Sequence, residues 1–178
     1  MAPLRIDETK PFLPVRIAVL TVSDTRDASN DKSGDTLTER IKAAGHVLAA
    51  RAIVRDDVGQ IVRTLKVWIA DPAIDCILST GGTGLTGRDV TIEAVRPLFE
   101  KEIDGFAALF HRVSYESVGT STMQSRACAG LANGTFIFAL PGSPGACRDA
   151  WDEILKFQLD SRLSPCNLVE LMPRLTER

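Results

Sequence analysis

The chain has 178 residues, 44% of them apolar, and a formal net charge of −2. That is enough apolar material for one substantial core and short for two, so a single domain is expected, and the near-neutral charge gives no electrostatic reason for a nucleic-acid or membrane partner. Two histidines cannot build a zinc cluster alone, and Cys76, Cys128, Cys147 and Cys166 are widely spaced without a CxxC pair, which reads as reduced core cysteines of a cytoplasmic protein. No signal-like segment opens the chain and no apolar run approaches the roughly eighteen residues of a membrane span, so neither export nor insertion is expected.

Residues 1–14 carry Pro3, Pro11 and Pro14 among mixed charges and are expected to form an arm, with residues 15–178 as the one folded domain. Val15 to Val22 is a buried strand, ending in Ser23-Asp24-Thr25-Arg26-Asp27 and a polar stretch to Ser33. A polar segment after a buried strand faces the ligand crevice of an α/β sheet, although a plain solvent loop has the same composition. A helix is expected from about Asp35 to Ala44, with Leu37 and Ile41 inward and Gly45 stopping it. Val47 to Val54 is the second strand, and Asp57 with Gln60 resembles a capping box for a helix carrying Val58, Ile61, Val62, Leu65, Trp68 and Ile69. Asp57 has this structural role available, which leaves Asp56 at the strand end.

Ile74 to Leu78 reads as the third buried strand and runs into Ser79-Thr80-Gly81-Gly82-Thr83-Gly84-Leu85-Thr86-Gly87-Arg88-Asp89. Its glycines allow tight turning and close approach to a ligand, Thr80, Thr83 and Thr86 bring hydroxyls, Arg88 a cation, and Asp89 a carboxylate placed to cap a helix starting near Val90. A glycine turn with no ligand is the plain alternative, and neither a P-loop nor GxGxxG is present. Ile92 to Phe99 suggests a short helix ending near Pro97, and Asp104 to Tyr115 a longer one. Residues 119–130 are small, with Met123 and Ala127 read as an inner pair suited to close helix packing. Thr135 to Leu140 is the last clear strand, followed by Pro141-Gly142-Ser143-Pro144-Gly145 and a helix with Ala150, Trp151, Ile154, Leu155 and Leu159 inward. His46 and His111 read as structural residues.

The strand and helix alternation implies a mostly parallel α/β sheet, with Asp24, Asp56 and Asp89 after three separate strands and two glycine loops able to hold phosphate. Carboxylates beside phosphates are the composition of a Mg²⁺ site. Taken in order, Thr21-Val22-Ser23-Asp24-Thr25-Arg26, Asp31-Lys32-Ser33-Gly34, Thr80-Gly81-Gly82-Thr83-Gly84, Arg88-Asp89-Val90-Thr91, Ser125-Arg126-Ala127 and Leu140-Pro141-Gly142-Ser143-Pro144 resemble the molybdenum cofactor biosynthesis family that includes molybdopterin adenylyltransferase and biosynthesis protein B. The arm and the segment from Gln158 to Asn167 look more like the protein B branch.

The resemblance implies a three-layer αβα sandwich, trimers that pair into hexamers, and transfer of AMP from MgATP to the terminal phosphate of molybdopterin. Asp56 and Asp89 match the family's acidic pair and are the expected catalytic and Mg²⁺-holding residues. Ser23, Asp24, Thr80, Gly81, Gly82, Thr83, Gly84, Arg88, Ser125, Pro141, Gly142 and Ser143 are the expected ligand-binding set. The alternative within the same pathway is a non-catalytic pterin-phosphate binding or carrier protein. The apolar segment Leu163 to Met172 reads as excess surface for a lone domain and agrees with a trimer-based homo-oligomer.

Overall fold

The computed structural model describes residues 4–177; the first three residues of the expected arm lie outside the described part. A six-stranded sheet has the order β3 (Val47–Val54), β2 (Arg16–Val22), β4 (Cys76–Thr80), β7 (Thr135–Leu140), β6 (Cys128–Ala132), β5 (Lys101–Glu102). The first four strands are parallel, and β6 and β5 are added antiparallel. Register pairs Val22 with Val54, Thr21 with Thr80 and Thr80 with Leu140, so the carboxyl ends of β2, β3, β4 and β7 finish side by side.

Helices cover both faces, giving the expected three layers. On one face α1 (Lys32–Ala43), α4 (Asp104–Val118) and α5 (Pro144–Ala150) pack Leu37, Ile41, Phe106, Phe110, Cys147 and Ala150 onto Ile17, Val19, Leu78, Phe138 and Leu140. On the other, α2 (Val58–Ala70) and α3 (Thr91–Val95) pack Ile61, Leu65, Trp68, Ile92 and Val95 onto Ala18, Leu20, Ile77 and Ile137. Strands of a parallel sheet are buried on both faces, which is why β2, β4 and β7 are apolar nearly throughout. Helix α5 continues through one π turn, Trp151–Leu155, into α6 (Lys156–Gln158), keeping Trp151, Ile154, Leu155 and Leu159 buried.

Several expectations need correcting. Helix α1 starts at Lys32, three residues before Asp35, because the buried Asp31 carboxylate caps it by accepting from the Gly34 amide at 3.0 Å. Strand β4 begins at Cys76 and reaches Thr80, taking in residues read as loop. Residues 119–130 are not a packed helix: a 3₁₀ turn over Gly119–Gln124 leads to β6, Ala127 is buried, and Met123 is 78% exposed. Strand β6 turns into β7 through Asn133-Gly134, both at positive φ, the two-residue hairpin that such a pair favours. Cys166 is exposed, whereas Cys76, Cys128 and Cys147 are buried.

The polypeptide before β2 packs against the amino-terminal end of the sheet. Strand β1 (Arg5–Ile6) pairs antiparallel with β8 (Leu163–Ser164), the Leu13 amide donates to Ser161, and the Phe12 ring lies 5.1 Å from that of His46. His46 accepts the Val15 amide through Nδ1, and His111 is hydrogen-bonded to Thr122, so both histidines have structural partners. Leu163 and Val169 are buried, and Leu168 and Met172 pack on the core. The apolar stretch from Leu163 to Met172 is therefore occupied within the chain, and only Leu171 in it is a large exposed apolar residue. Among the described residues no helix is long and apolar enough to cross a membrane.

Candidate active site at the carboxyl edge of the sheet

The two glycine loops leave β4 and β7 as neighbours and touch. The Gly81 amide donates to the Leu140 carbonyl, and a side chain at Gly142 would start 3.0 Å from the Gly81 Cα. Gly81 has φ +100°, and a Cβ there would fall on the Val22 carbonyl oxygen; Gly82 has φ +63°. Both conformations are strained for a residue with a side chain, and the space is closed as well. Helix α3 holds the loop from behind, as the Thr91 hydroxyl donates to the Gly81 carbonyl and the Thr91 amide to that of Gly82.

The three aspartates converge here. A Cβ on Gly82 would lie 2.7 Å from Asp56 Oδ1, and the Asp56 amide donates to Asp24 at 3.3 Å. Burial, then the negative charges of Asp24 and Asp89, push the Asp56 carboxyl above its usual range. Asp89 does not cap α3, whose first turn follows Val90 without a side-chain cap; its carboxylate turns back to accept from the Thr86 hydroxyl at 2.7 Å and amide at 2.9 Å. Those bonds, the hydroxyl above all, hold Asp89 below the usual carboxylate range. Two carboxyls at one site are thus driven in opposite directions.

Arg88 is engaged. Its guanidinium donates to both oxygens of Asp24, at 2.7–3.0 Å, in a bidentate pair that is 68% exposed on the arginine side. Other expected ligand groups also have internal partners: the buried Thr80 hydroxyl donates to the Pro141 carbonyl at 2.9 Å, Ser23 Oγ accepts from the Thr25 and Arg26 amides, and Ser143 Oγ caps α5 by accepting from Ala146. Thr83 is buried, and its carbonyl accepts from Arg126.

Two openings flank this glycine ridge. A cleft of about 380 Å³ is lined by Ser114, Ser117, Ser125, Pro141 and Ser143 over Phe110 and Val118, joining an apolar floor to hydroxyls. On the other side a depression of about 500 Å³ is lined by Ser23, Asp24, Arg26, Arg55 and Gln60. The structure thus brings Ser125, Pro141 and Ser143 to one opening, Ser23 and Asp24 to the other, and Gly82, Asp56 and Asp89 between them.

Two residues here escaped the sequence reading. Arg26 donates to Ser33 Oγ and, at 2.7 Å, to the Gly142 carbonyl, linking the β2 loop, α1 and the second glycine loop. Arg126, just before β6, donates to the carbonyls of Thr83, Gly84 and Asp89. The only signal for either was a place in a motif, since their partners are distant in sequence. Asp31, also in a motif, is fully buried and accepts from Arg51 and Thr21. Burial would raise its carboxyl, but Arg51, Thr21 and the Gly34 amide outweigh that and hold it below the usual range.

Touching glycine loops and a hydroxyl-lined cleft at the carboxyl edge of a parallel sheet are where α/β proteins of this class place their small-ligand sites. The profile of the family described as "Probable molybdopterin binding domain" matches residues 18–161. Molybdenum cofactor biosynthesis protein B of Escherichia coli strain K12 is 49% identical over 156 residues, covering 88% of this chain and 92% of that protein. Its Bacillus subtilis strain 168 namesake is 41% identical over 155 residues, covering 85% and 91%. A crystal structure of molybdenum cofactor biosynthesis protein B superposes with TM-score 0.85 at 38% identity, over 95% of this chain and all of that one. The molybdopterin biosynthesis Mog protein from Mycobacterium ulcerans gives TM-score 0.74 at 26% identity, over 90% and 99%. The chain belongs to the molybdenum cofactor biosynthesis family that contains these proteins.

Proposed function

We propose that this protein transfers AMP from MgATP to the terminal phosphate of molybdopterin, releasing pyrophosphate. The observation that carries the reading is the placing of Asp56 against Gly82 and of Asp89 against Gly84 on the first glycine loop, with Asp24 accepting the Asp56 amide. Burial, and after it the charges of Asp24 and Asp89, raise the Asp56 carboxyl. Among the described residues no group of three or more histidine, cysteine or acidic side chains is arranged as a self-sufficient metal site. Magnesium arriving with a nucleotide takes one or two protein carboxylates and completes its shell with phosphate oxygens and water. Asp56 and Asp89 would hold it, and when bound it supplies positive charge between the phosphates.

The residues of the chain do the rest by placement. The nucleophile is a phosphate monoester, largely ionised at neutral pH, so no histidine base is needed. Its oxygen forms a bond to the α-phosphorus of ATP as the bond to the pyrophosphate oxygen breaks, and the charge leaves on pyrophosphate. The serine-lined cleft suits a flat heterocycle with polar edges, which puts the pterin phosphate beside the glycine ridge. Arg88, once parted from Asp24, adds a cation for phosphate. The work is alignment and electrostatic stabilisation.

The closed Asp24–Arg88 pair favours a second reading, a pterin-phosphate carrier whose nucleotide side stays shut. Incubating the purified protein with molybdopterin, ATP and Mg²⁺ separates the two. Adenylated pterin and stoichiometric pyrophosphate support transfer; pterin binding without either product leaves the carrier.

A further inference from the structure

We propose that Arg126 is the positioning residue that fixes the glycine loop so that its amides hold the Asp89 carboxylate in place for the ligand. Its Nε donates to the carbonyls of Thr83 and Gly84 at 3.1 and 3.0 Å, and its Nη2 donates to the carbonyl of Asp89 at 3.1 Å. One planar fork thereby fastens both ends of the loop at once. The backbone amide of Arg126 adds a bond to Thr83, and Glu93 on α3 receives Nη1 and Nη2 from the outer side. Between the fastened ends, Leu85 to Arg88 are exposed.

The consequence follows from peptide geometry. In a trans peptide the carbonyl of one residue and the amide of the next point in opposite directions. Turning the carbonyls of Thr83, Gly84 and Asp89 to Arg126 therefore turns the amides of Gly84, Leu85 and Val90 the other way. The Gly84 amide faces the Asp89 carboxylate, and the Gly84 Cα is close enough that a Cβ would sit 2.7 Å from Asp89 Oδ2. The orientation of Asp89 thus depends on a guanidinium 37 residues further along the chain. A lysine could pair with Glu93 but has no planar fork to reach three carbonyls together.

This inference rests on the proposed function for its catalytic meaning, but its structural half is tested without ligand. Amide hydrogen exchange on the unliganded protein reads the loop directly, with Thr86 and Asp89 as reporters because their amides bond to Asp89 and Thr86. Arg126→Gln is expected to speed exchange there about tenfold or more while β4 and β7 stay protected. Glu93→Gln removes the ion pair and leaves the carbonyl bonds, so its loop should exchange like wild type. Should Arg126→Gln fail to fold, Arg126→Lys carries the same test, with faster loop exchange than Glu93→Gln.

In AMP transfer, Arg126→Lys should lower kcat about tenfold or more with the nucleotide KM changed less than about threefold, the mark of lost alignment. Glu93→Gln should keep both. Wild-type loop exchange in the folded Arg126 variants overturns the proposal, and so does a Glu93→Gln variant that reproduces their effects, since the ion pair alone would then suffice. A wild-type protein without AMP transfer defeats the adenylyltransferase reading, and the exchange measurements still decide the role of Arg126.

Discussion

Replacing Gly82 with alanine adds one methyl group at the point where the β4 loop, α3 and Asp56 meet. The position has φ +63°, and the left-handed region costs a residue with a Cβ about 1–2 kcal/mol. The new methyl would overlap Thr91 Oγ1, stand 2.7 Å from Asp56 Oδ1 and press Val22 Cγ1 at 3.2 Å. Overpacking of this kind costs about 1–3 kcal/mol. The combined loss is about 2–5 kcal/mol, within the roughly 5–15 kcal/mol of an ordinary domain, so the variant should fold and melt earlier. For a chain of this length that is a Tm lower by roughly 5–20 °C. Urea unfolding supplies the magnitude, and an unchanged m value shows that the loss lies in the native state. Because the methyl displaces Asp56 and Thr91 together, AMP transfer should fall far more than pterin binding. Gly87→Ala is the internal control: a Cβ there has no atom within 4 Å, and stability should hardly move. A Gly82→Ala protein that unfolds within about 0.5 kcal/mol of wild type and transfers AMP normally would refute the packing argument and the site built on it.

Asp56→Asn tests the charge alone. Burial, Asp24 and Asp89 raise this carboxyl in the folded protein, so its contribution to stability is full below its unfolded pKa and is lost as pH rises through the folded value. The asparagine variant should therefore melt higher than unliganded wild type at pH 7, the difference should vanish near pH 3, and AMP transfer should drop by about a hundredfold or more. A lower Tm at pH 7 refutes the repulsion argument. Asp31 runs the opposite way: its folded carboxyl is held low, so its stabilisation is present above the unfolded pKa and lost as pH falls through the folded one. Asp31→Ala leaves Arg51 and the start of α1 without their partner and should cost about 3 kcal/mol in urea unfolding; a loss below about 1 kcal/mol contradicts that. For assembly, Leu109, Tyr115, Val118 and Met123 are exposed on α4 and the turn after it, and a trimer-based oligomer, doubled to a hexamer, is expected by sedimentation at micromolar concentration. A monomer mass contradicts it.

The strands β2 and β7 were legible because runs of apolar residues buried on both faces leave little else they could be, and the edge strand β3, only half-buried, was legible from its apolar run between Gly45 and Asp56. Helix α2 was legible at its start, where Asp57 accepts the Gln60 amide at 2.8 Å. Strand β6 was not, since Cys128 to Ala132 is short and small-sided, and its pairing is announced by Asn133-Gly134 rather than by its own residues. The start of α1 was hidden because Asp31 serves two distant partners, Thr21 and Arg51, besides the local Gly34 amide, in a stretch that reads as solvent loop. That Asp24, Asp56 and Asp89 follow the ends of three neighbouring strands was legible from strand-end logic alone. Their separate environments were not, as these come from Thr86 on Asp89 and Arg88 on Asp24, bonds that exist only once the loops have closed.

The pairing of β1 with β8 places Cys166 two residues from a small clasp at the end of the sheet opposite the glycine loops. Because Cys76, Cys128 and Cys147 are buried and burial raises all three thiols, mild thiol chemistry on the folded protein selects this one address. A fluorophore attached there would report whether the arm is seated, through its neighbours around Leu163 and Ser164, and leave the ligand edge untouched. The fold thus supplies a ready handle for watching the arm and the site as separate events in one molecule.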